Sequence, residues 1–373
     1  MLQIFATQQS LKAIGYDYEL LRYDKVTISP SFVLKSIPRL FNADFVRGKL
    51  ARIKKAYKKR GHQDVLIGDT IRRRRFAEFR KKYIGPYSPV HKGYPSICDA
   101  ASEYDAVMVG SDQLWAPAGL ESNFYNLLFV PDDITKISYA TSFGVSQIPK
   151  KQIKKTTAYL KRIEYISVRE LSGAKIVKAL TGRDVVVAAD PTLMLTREKW
   201  CELFPPKRLY AEKYIFAYFL GDNQEQRDLV NDLKKLTGYK IICCPHLDSF
   251  IEADCGFGDI QRYDTDPEEF LNLIRGAEYI CTDSFHGSIF SILNHKRFVT
   301  FNRFKSTDKL SKNSRIDSLF EKLGIEGRRI RSTTAKDLLD QLNSPIDFTK
   351  VEDSLEELRE ETKEFLRSAL LSS

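Results

Sequence analysis

Residues 279–290 read YICTDSFHGSIF and contain the pattern that decides the fold. The first four residues are a short apolar run typical of a buried strand, and an apolar segment with helical spacing follows shortly after them. Asp283 or Ser284 can cap a helix that begins near Phe285. The stretch therefore predicts a strand that passes directly into a helix, which is the unit that α/β proteins with parallel strands repeat.

The same alternation of strand and helix patterns continues along almost the whole chain. Its regularity predicts βαβ units and mainly parallel sheets, in an α/β fold. DPTLML at 190–195 is followed by a helical stretch and by Pro205 and Pro206, so we place a domain boundary near residue 200. We predict an N-terminal domain over 1–200, a C-terminal domain over 201–345 and an amphipathic helix over 346–373 that packs back on them. The predicted strands are 18–22, 106–109, 137–141, 165–168, 185–188, 214–219, 240–243, 279–282 and 298–301.

Length and composition exclude several classes of protein. The chain has 373 residues, 43% of them apolar and 29% charged, which suits two globular domains. No apolar run approaches the roughly 18 residues of a membrane span, and the start lacks a signal peptide, so we predict a cytoplasmic protein. The six cysteines show no metal-ligand spacing. We expect neither a metal site nor a cofactor.

The positive charge is concentrated in one region. The net charge is +10, and Arg47 to Lys82 hold 15 Lys or Arg against three acids. This region is either a pair of solvated basic helices or a contact with an anionic membrane surface, which would make the protein membrane-peripheral. No nucleic-acid-binding module is recognisable in it, so nucleic acid is not an expected partner.

Polar residues follow several predicted strands, where ligands of doubly wound sheets bind. No GxGxxG fingerprint follows a strand, so the sequence gives no support for a nucleotide. GSDQLW at 110–115 supplies Ser111, Asp112 and Gln113 at one such strand end. These residues either contact a ligand or only form the turn that caps the next segment.

Two further strand ends carry groups suited to an anionic substrate. Arg169 follows the strand at 165–168, where its guanidinium can bind a carboxylate or phosphate bidentately or form an interdomain ion pair. His286 lies at a predicted helix N-terminus, where free N–H groups beside Asp283 and Ser284 favour an anion. The helix end disfavours imidazolium by about 0.3–1 kcal/mol, less than a bound dianion would favour it. His286 is therefore an acid when substrate is bound, or else a structural hydrogen-bonding residue.

Taken together in this order, the motifs GSDQLW, SVRE, DPTLML and TDSFHG resemble those of the polysaccharide pyruvyl transferase family. The likeness runs over nearly the whole chain. It implies a GT-B-like fold, in which two Rossmann-like domains face each other across a cleft. It also implies transfer of a pyruvyl ketal from phosphoenolpyruvate to hydroxyls of a sugar in a surface polysaccharide, such as a capsule or exopolysaccharide, or in its precursor. The implied partners are phosphoenolpyruvate and a saccharide acceptor, free or lipid-linked.

The resemblance also implies roles for individual residues. Arg169 matches the arginine expected to hold phosphoenolpyruvate, His286 matches the general acid, and Asp112 is the candidate for acceptor contact. Lys305 matches a basic residue that follows the histidine in some members, with two nearby basic residues as alternatives. Protonation of C3 of the enolpyruvyl group by His286 would leave C2 open to a sugar hydroxyl. The expected substrate contacts are Ser111, Asp112, Gln113, Asp283, Ser284 and Lys305.

The beginning of the chain departs from the family pattern. Family members usually start with a strand and a glycine-containing loop, whereas Met1 falls inside the segment that corresponds to the first helix. We therefore expect the first strand of the N-terminal domain to be missing from this sequence and to be encoded upstream.

Two other functions remain open on the sequence. One is a GT-B glycosyltransferase that uses a nucleotide sugar, with His286 or Lys305 acting on a diphosphate. The other is a non-catalytic protein of a polysaccharide-assembly complex. The oligomeric state is not indicated by any pattern.

Overall fold

The structure, a computed structural model, describes residues 1–24, 61–117, 123–246, 250–304 and 314–371. Lys305 and the part of the basic region before residue 61 lie outside these ranges. None of the described helices is long and apolar enough to cross a membrane. The strands are β1 Leu20–Asp24, β2 Tyr87–Lys92, β3 Ala106–Val109, β4 Thr135–Thr141, β5 Tyr165–Val168, β6 Val186–Val187, β7 Tyr214–Tyr218, β8 Lys240–Cys243, β9 Ile260–Gln261, β10 Tyr279–Thr282 and β11 Arg297–Thr300.

Helices alternate with these strands and cover the sheets. Several of them begin at a polar residue that caps the first turn, as Asn223, Asp266 and Ser284 do. The helices are α1 Leu2–Ala13, α2 Gln63–Tyr83, α3 Gly93–Ala101, α4 Ile153–Arg162, α5 Leu171–Thr181, α6 Arg197–Leu203, α7 Gln224–Thr237, α8 Pro267–Gly276, α9 Phe285–Leu293, α10 Ser314–Lys322, α11 Ala335–Asn343 and α12 Phe348–Leu371.

The second half of the chain forms a five-stranded parallel sheet with the strand order β11-β10-β7-β8-β9. Its central strands β7 and β10 are apolar along almost their whole length and nearly fully buried. Strands that are covered by helices on both faces need side chains of this kind on both sides. Parallel pairing brings the carboxyl ends of β7 and β10 to the same edge, since Tyr218 lies opposite Thr282.

The first half of the chain contains two smaller parallel sheets. Strands β3, β4, β5 and β6 form one sheet in that order, and β1 pairs with β2 in the other. β2 contains Pro89, which cannot donate a backbone hydrogen bond and is tolerated at a sheet edge. The predicted α/β class with parallel sheets is confirmed.

A large aromatic core joins the two halves. Phe5 of α1 packs against Trp200 and Phe204, with the Phe5 and Phe204 ring centroids 5.1 Å apart. Trp200 in turn meets Phe290 of α9 at 5.2 Å. Each of these buried rings removes about 150–250 Å² from water, so α1 is fixed against the second half of the chain.

The C-terminal helix α12 connects the halves a second time. Leu355 and Leu358 are buried in the same core as Trp200. Farther along the helix, Arg359 donates through Nε to the carbonyl oxygen of Leu193 at 2.8 Å, and Thr362 Oγ1 accepts from the backbone N–H of Ala189 at 2.9 Å. The helix therefore holds the chain segment that follows β6 in place.

A candidate active site at the carboxyl ends of the strands

Polar side chains from both halves of the chain meet beyond the carboxyl ends of four strands. Asp112 follows β3, Arg169 follows β5, Asp190 follows β6 and His286 follows β10. β3, β5 and β6 belong to the four-stranded sheet and β10 to the five-stranded one, so the carboxyl edges of two parallel sheets come together here. The predicted pair Arg169 and His286 is brought together at this edge, and both side chains contact the same carboxylate.

Arg169 is completely buried and surrounded by acceptors. Its Nη1 donates to Asp190 Oδ2 at 2.8 Å and to Ser111 Oγ at 3.3 Å, while Nη2 donates to Asp112 Oδ1 at 3.2 Å. The guanidinium also lies over the ring of Phe285, with Cζ 4.7 Å from the ring centroid. Burial of a charge of this kind is tolerated because it is paired and hydrogen-bonded.

Asp190, whose functional role the sequence did not reveal, links the arginine to the histidine. Its Oδ2 binds Arg169 and accepts from Ser111 Oγ at 2.8 Å, and its Oδ1 accepts from Thr192 Oγ1 at 2.6 Å. Oδ1 also lies 3.7 Å from His286 Nε2. Burial by itself would raise the pKa of Asp190, but the His286 ring and the Arg169 guanidinium outweigh it and hold that pKa well below its usual value. Asp190 is therefore a permanent anion.

His286 occupies the second position of α9. Ser284 caps this helix through Oγ, which accepts from the backbone N–H of Gly287 at 3.2 Å. The imidazole is one-third exposed, and its Nε2 is buried with no hydrogen-bond partner among the described residues. At 3.7 Å the separation from Asp190 exceeds a hydrogen bond, so the contact is electrostatic.

Asp112 is the exposed acid of the cluster. Its side chain is 57% exposed, although Oδ1 contacts Arg169. Burial tends to raise the pKa of Asp112, but the charges of Arg169 and His286 lower it overall. The backbone φ is 104°, a conformation that costs a non-glycine residue about 1–3 kcal/mol. Hydrogen bonding of the Asp112 carbonyl to the N–H of Ser142 at 2.9 Å helps to maintain this strained turn.

The other predicted contacts form the frame of the site. Both Asp283 oxygens accept from backbone N–H groups, those of Leu220 at 2.7 Å and Gly221 at 2.8 Å. The Gln113 side chain packs closely against Gly144, because a Cβ added to Gly144 would lie only 3.2 Å from atoms of the Gln113 side chain. Ser111 is buried and bound to Asp190, as described above. Lys305 lies outside the described residues.

Glu170 adds a second buried carboxyl beside Arg169. Its Oε1 accepts from Ser142 Oγ at 2.9 Å and from the N–H of Phe143 at 3.1 Å. Its Oε2 lies 4.0 Å from Arg169 Nε, and neither of these two atoms has a hydrogen-bond partner among the described residues. Burial raises the pKa of Glu170.

A cavity of about 280 Å³ opens next to this cluster. Asp112, Ser284 and His286 line it, whereas Arg169 lies behind them. Two arginines, Arg72 and Arg262, also line the wall, and the aromatic lining comprises Phe76, Tyr218, Phe270 and Phe290. The volume suits a small ligand, and the wall offers the mixture of apolar surface and few polar groups typical of ligand sites.

The sequence matches the model of one protein family, polysaccharide pyruvyl transferase, over residues 1–305. The chain belongs to this family. It is therefore a transferase, as the motifs predicted, and a saccharide acceptor follows from the family. No curated protein matches the chain in sequence.

Several solved structures are similar to this chain in fold. The UDP-GlcNAc 2-epimerase of Methanocaldococcus jannaschii aligns with a TM-score of 0.53 and 10% identity, over 92% of this chain and 90% of that one. The UDP-N-acetylglucosamine 2-epimerase of Rickettsia bellii aligns with a TM-score of 0.45 and 13% identity, over 75% of this chain and 77% of that one. The wall teichoic acid polymerase TagF aligns with a TM-score of 0.39 and 11% identity, over 86% of this chain and 91% of that one. The likeness to the Methanocaldococcus jannaschii enzyme, over nearly the whole of both chains, confirms the GT-B-like arrangement of two Rossmann-like units.

Proposed function

We propose that this pyruvyl transferase takes the pyruvyl group from phosphoenolpyruvate and transfers it to two hydroxyls of a saccharide, with His286 as the general acid. The observation that carries the proposal is the contact of Arg169 and His286 with one carboxylate, Asp190, at the edge of the cavity. A permanently ionised Asp190 attracts a protonated imidazole. A proton on the ring is what the first step of the reaction requires.

The reaction balances without a cofactor. His286 donates a proton to C3 of the enolpyruvyl group, and C2 gains oxocarbenium character. One sugar hydroxyl adds to C2 and its proton returns to the imidazole. The C–O bond to phosphate then breaks, a second hydroxyl adds to C2 to close the cyclic ketal, and the proton of that hydroxyl leaves with the phosphate. General acid catalysis of the first step contributes about 10²- to 10⁴-fold.

Arg169 can bind the donor if an anionic group of the donor replaces one of the two carboxylates that the guanidinium contacts. Asp190 is fully buried and fixed by Ser111 and Thr192, whereas Asp112 is more than half exposed. A carboxylate or phosphate of the donor can therefore replace Asp112 at Nη2 more easily than it can replace Asp190 at Nη1. Release from Arg169 would free the Asp112 carboxylate to accept from a hydroxyl of the acceptor sugar.

The donor and the proton transfer are tested together in heavy water. With phosphoenolpyruvate and a saccharide acceptor in D₂O, the ketal methyl group should carry one deuterium, measured by mass spectrometry. The His286→Asn variant should remain folded and lose phosphate release by at least about 100-fold. His295 pairs with Glu352 at 3.1 Å outside the cluster, so His295→Asn is the matched control and should retain activity.

Ligand binding separates this function from its alternatives. A ligand at 100 times its dissociation constant stabilises the folded protein by about 2.7 kcal/mol, so phosphoenolpyruvate should raise Tm. A rise with a nucleotide sugar and none with phosphoenolpyruvate would favour a glycosyltransferase and contradict the proposal. No response to either compound would favour a non-catalytic assembly protein.

A further inference from the structure

Arg315 is a buried guanidinium without a counter-ion in contact. It is the second residue of α10 and is 5% exposed. It makes no hydrogen bond and no ion pair with any described residue, and its Nε is buried without a partner. Burial of a charge that is not paired is costly, so such groups usually serve a ligand or a partner. No step of the proposed reaction involves Arg315.

The position of Arg315 places it beside the candidate active site. Its Cζ lies 5.4 Å from the centroid of the Phe285 ring, which also contacts Arg169 at 4.7 Å. Ser314, the preceding residue, lies with Oγ 3.3 Å from Ser172 Oγ on α5, the helix that follows Arg169. Two guanidinium groups from opposite halves of the chain therefore share one aromatic ring, and the next residue after that ring is His286.

The charges of the two arginines are balanced differently. Arg169 contacts Asp190 and Asp112 directly. Among the described residues, Arg315 has no counter-ion in contact and lies over the π-face of Phe285, an interaction worth a fraction of a buried ion pair. Burial first, and then repulsion by Arg169, lower the pKa of Arg315 to about 9 although Glu170 acts in the opposite direction. A guanidinium in this situation gains strongly from an added anion.

We propose that Arg315 binds an anionic group of the donor and is the second guanidinium of the donor site. The inference rests on the proposed function, because it takes phosphoenolpyruvate as the donor. Phosphoenolpyruvate carries a carboxylate and a phosphate, and Arg169 is already largely neutralised by Asp190. The Arg315 guanidinium, which no described residue pairs with, can bind the remaining negative charge. Its planar arrangement of N–H donors suits the oxygens of a carboxylate or of a phosphate.

A purely structural role of Arg315 would give a different combination of effects on stability and on donor affinity. If Arg315 only offset the charge of Glu170, its replacement would lower stability and leave donor affinity unchanged. Arg328 is the matched control, since it is equally buried at 5% exposed, has an unpartnered Nη1 and bonds to Ser344 rather than to the site. Arg315→Met and Arg328→Met thus remove the same charge from similar surroundings.

The experiment measures the affinity of the full chain for phosphoenolpyruvate by calorimetry, with circular dichroism as the check of folding. Arg315→Met should weaken binding by about 10- to 100-fold, the value of a charge-assisted hydrogen bond. Arg315→Lys keeps the charge but not the planar pair of N–H donors, and it should weaken binding less. This variant also replaces Arg315→Met in the experiment if Arg315→Met does not fold. Arg328→Met should bind as the wild type does.

The outcomes distinguish the inference from the function on which it rests. Unchanged affinity in both Arg315 variants, with a wild type that binds phosphoenolpyruvate, overturns the role of Arg315 and leaves the proposed function intact. A wild type that does not bind phosphoenolpyruvate overturns the proposed function, and this inference with it. Equal losses in the Arg315 and Arg328 variants would show a general effect of lost charge and would also overturn the inference.

Discussion

Replacement of Asp190 by asparagine tests the centre of the site most directly. The substitution keeps the shape of the side chain and removes its charge. It leaves Arg169 buried with the exposed Asp112 as its remaining ion-pair partner within hydrogen-bond distance, and it replaces an acceptor of Ser111 and Thr192 by an amide. Removal of one partner of a buried ion pair costs about 3–5 kcal/mol, and we expect a loss of this size in the free energy of unfolding.

The same substitution should lower turnover by at least about 100-fold, because His286 loses the carboxylate that attracts its protonated form. Phosphate release measures turnover, and urea denaturation measures stability. Glu164→Gln is the matched control. Glu164 pairs with the buried Lys136 at 3.2 Å near the amino ends of β4 and β5, away from the cavity. This variant should lose stability and keep its turnover.

The pH dependence of the Asp190→Asn effect follows from the lowered pKa of Asp190. A carboxyl whose pKa is lower in the folded state stabilises the protein above its unfolded pKa of about 3.9, and this contribution is lost as the pH falls toward the folded pKa. The stability difference between wild type and variant should therefore shrink as the pH falls below about 4. Wild-type turnover in the variant, or a stability difference that does not shrink below about pH 4, would refute the role assigned to Asp190.

Two further predictions concern the backbone of the site. Asp112→Gly should be more stable than Asp112→Ala by about 1 kcal/mol, because both lose the carboxylate but only glycine adopts a φ of 104° without strain; equal urea midpoints would contradict this. Gly287→Ala places a Cβ 2.6 Å from Thr282 Oγ1, so it should cost about 1–3 kcal/mol and displace His286, with lower turnover. Gly327→Ala, whose Cβ meets nothing within 4 Å, is its control, and equal thermal stability of the two alanine variants would argue against the close contact.

Nine of the eleven described strands could be predicted from the sequence, including the edge strands β3, β6 and β11, whereas the edge strands β2 and β9 could not. β7 and β10 are continuous apolar runs because both of their faces are covered, and such runs are easy to recognise. β2 is YSPVHK, partly exposed and interrupted by Pro89, so it has no apolar pattern. β9 has two residues and pairs only with β8. Pairing, which the sequence does not display, defines both of these strands.

The residues of the candidate site likewise fall into those that the sequence predicted and those that it did not. Ser284, Arg169 and His286 were recognisable because each follows an apolar strand directly. Asp190 stands before a proline and caps a short turn through Thr192, which is a sufficient local explanation for an aspartate. Its contact with Arg169 depends on the pairing of β5 with β6, and its contact with His286 depends on the meeting of the two halves. No local pattern describes either of them. Arg315 is hidden for the same reason, since in sequence it is one basic residue near the start of a helix.

The arrangement of charges links substrate binding to the approach of the two halves. Asp190 belongs to the first half and His286 to the second, and their separation of 3.7 Å is too long for a hydrogen bond. Protonation of His286 adds an attraction to Asp190 that can shorten this gap. An anion held by Arg315 would add a second attraction, toward Arg169, whose guanidinium lies over the same Phe285 ring. Both attractions act between the first and the second half of the chain, so the proton and the donor each favour the geometry that the other requires. If this coupling operates, the affinity for phosphoenolpyruvate should fall in Asp190→Asn even though Asp190 does not line the cavity.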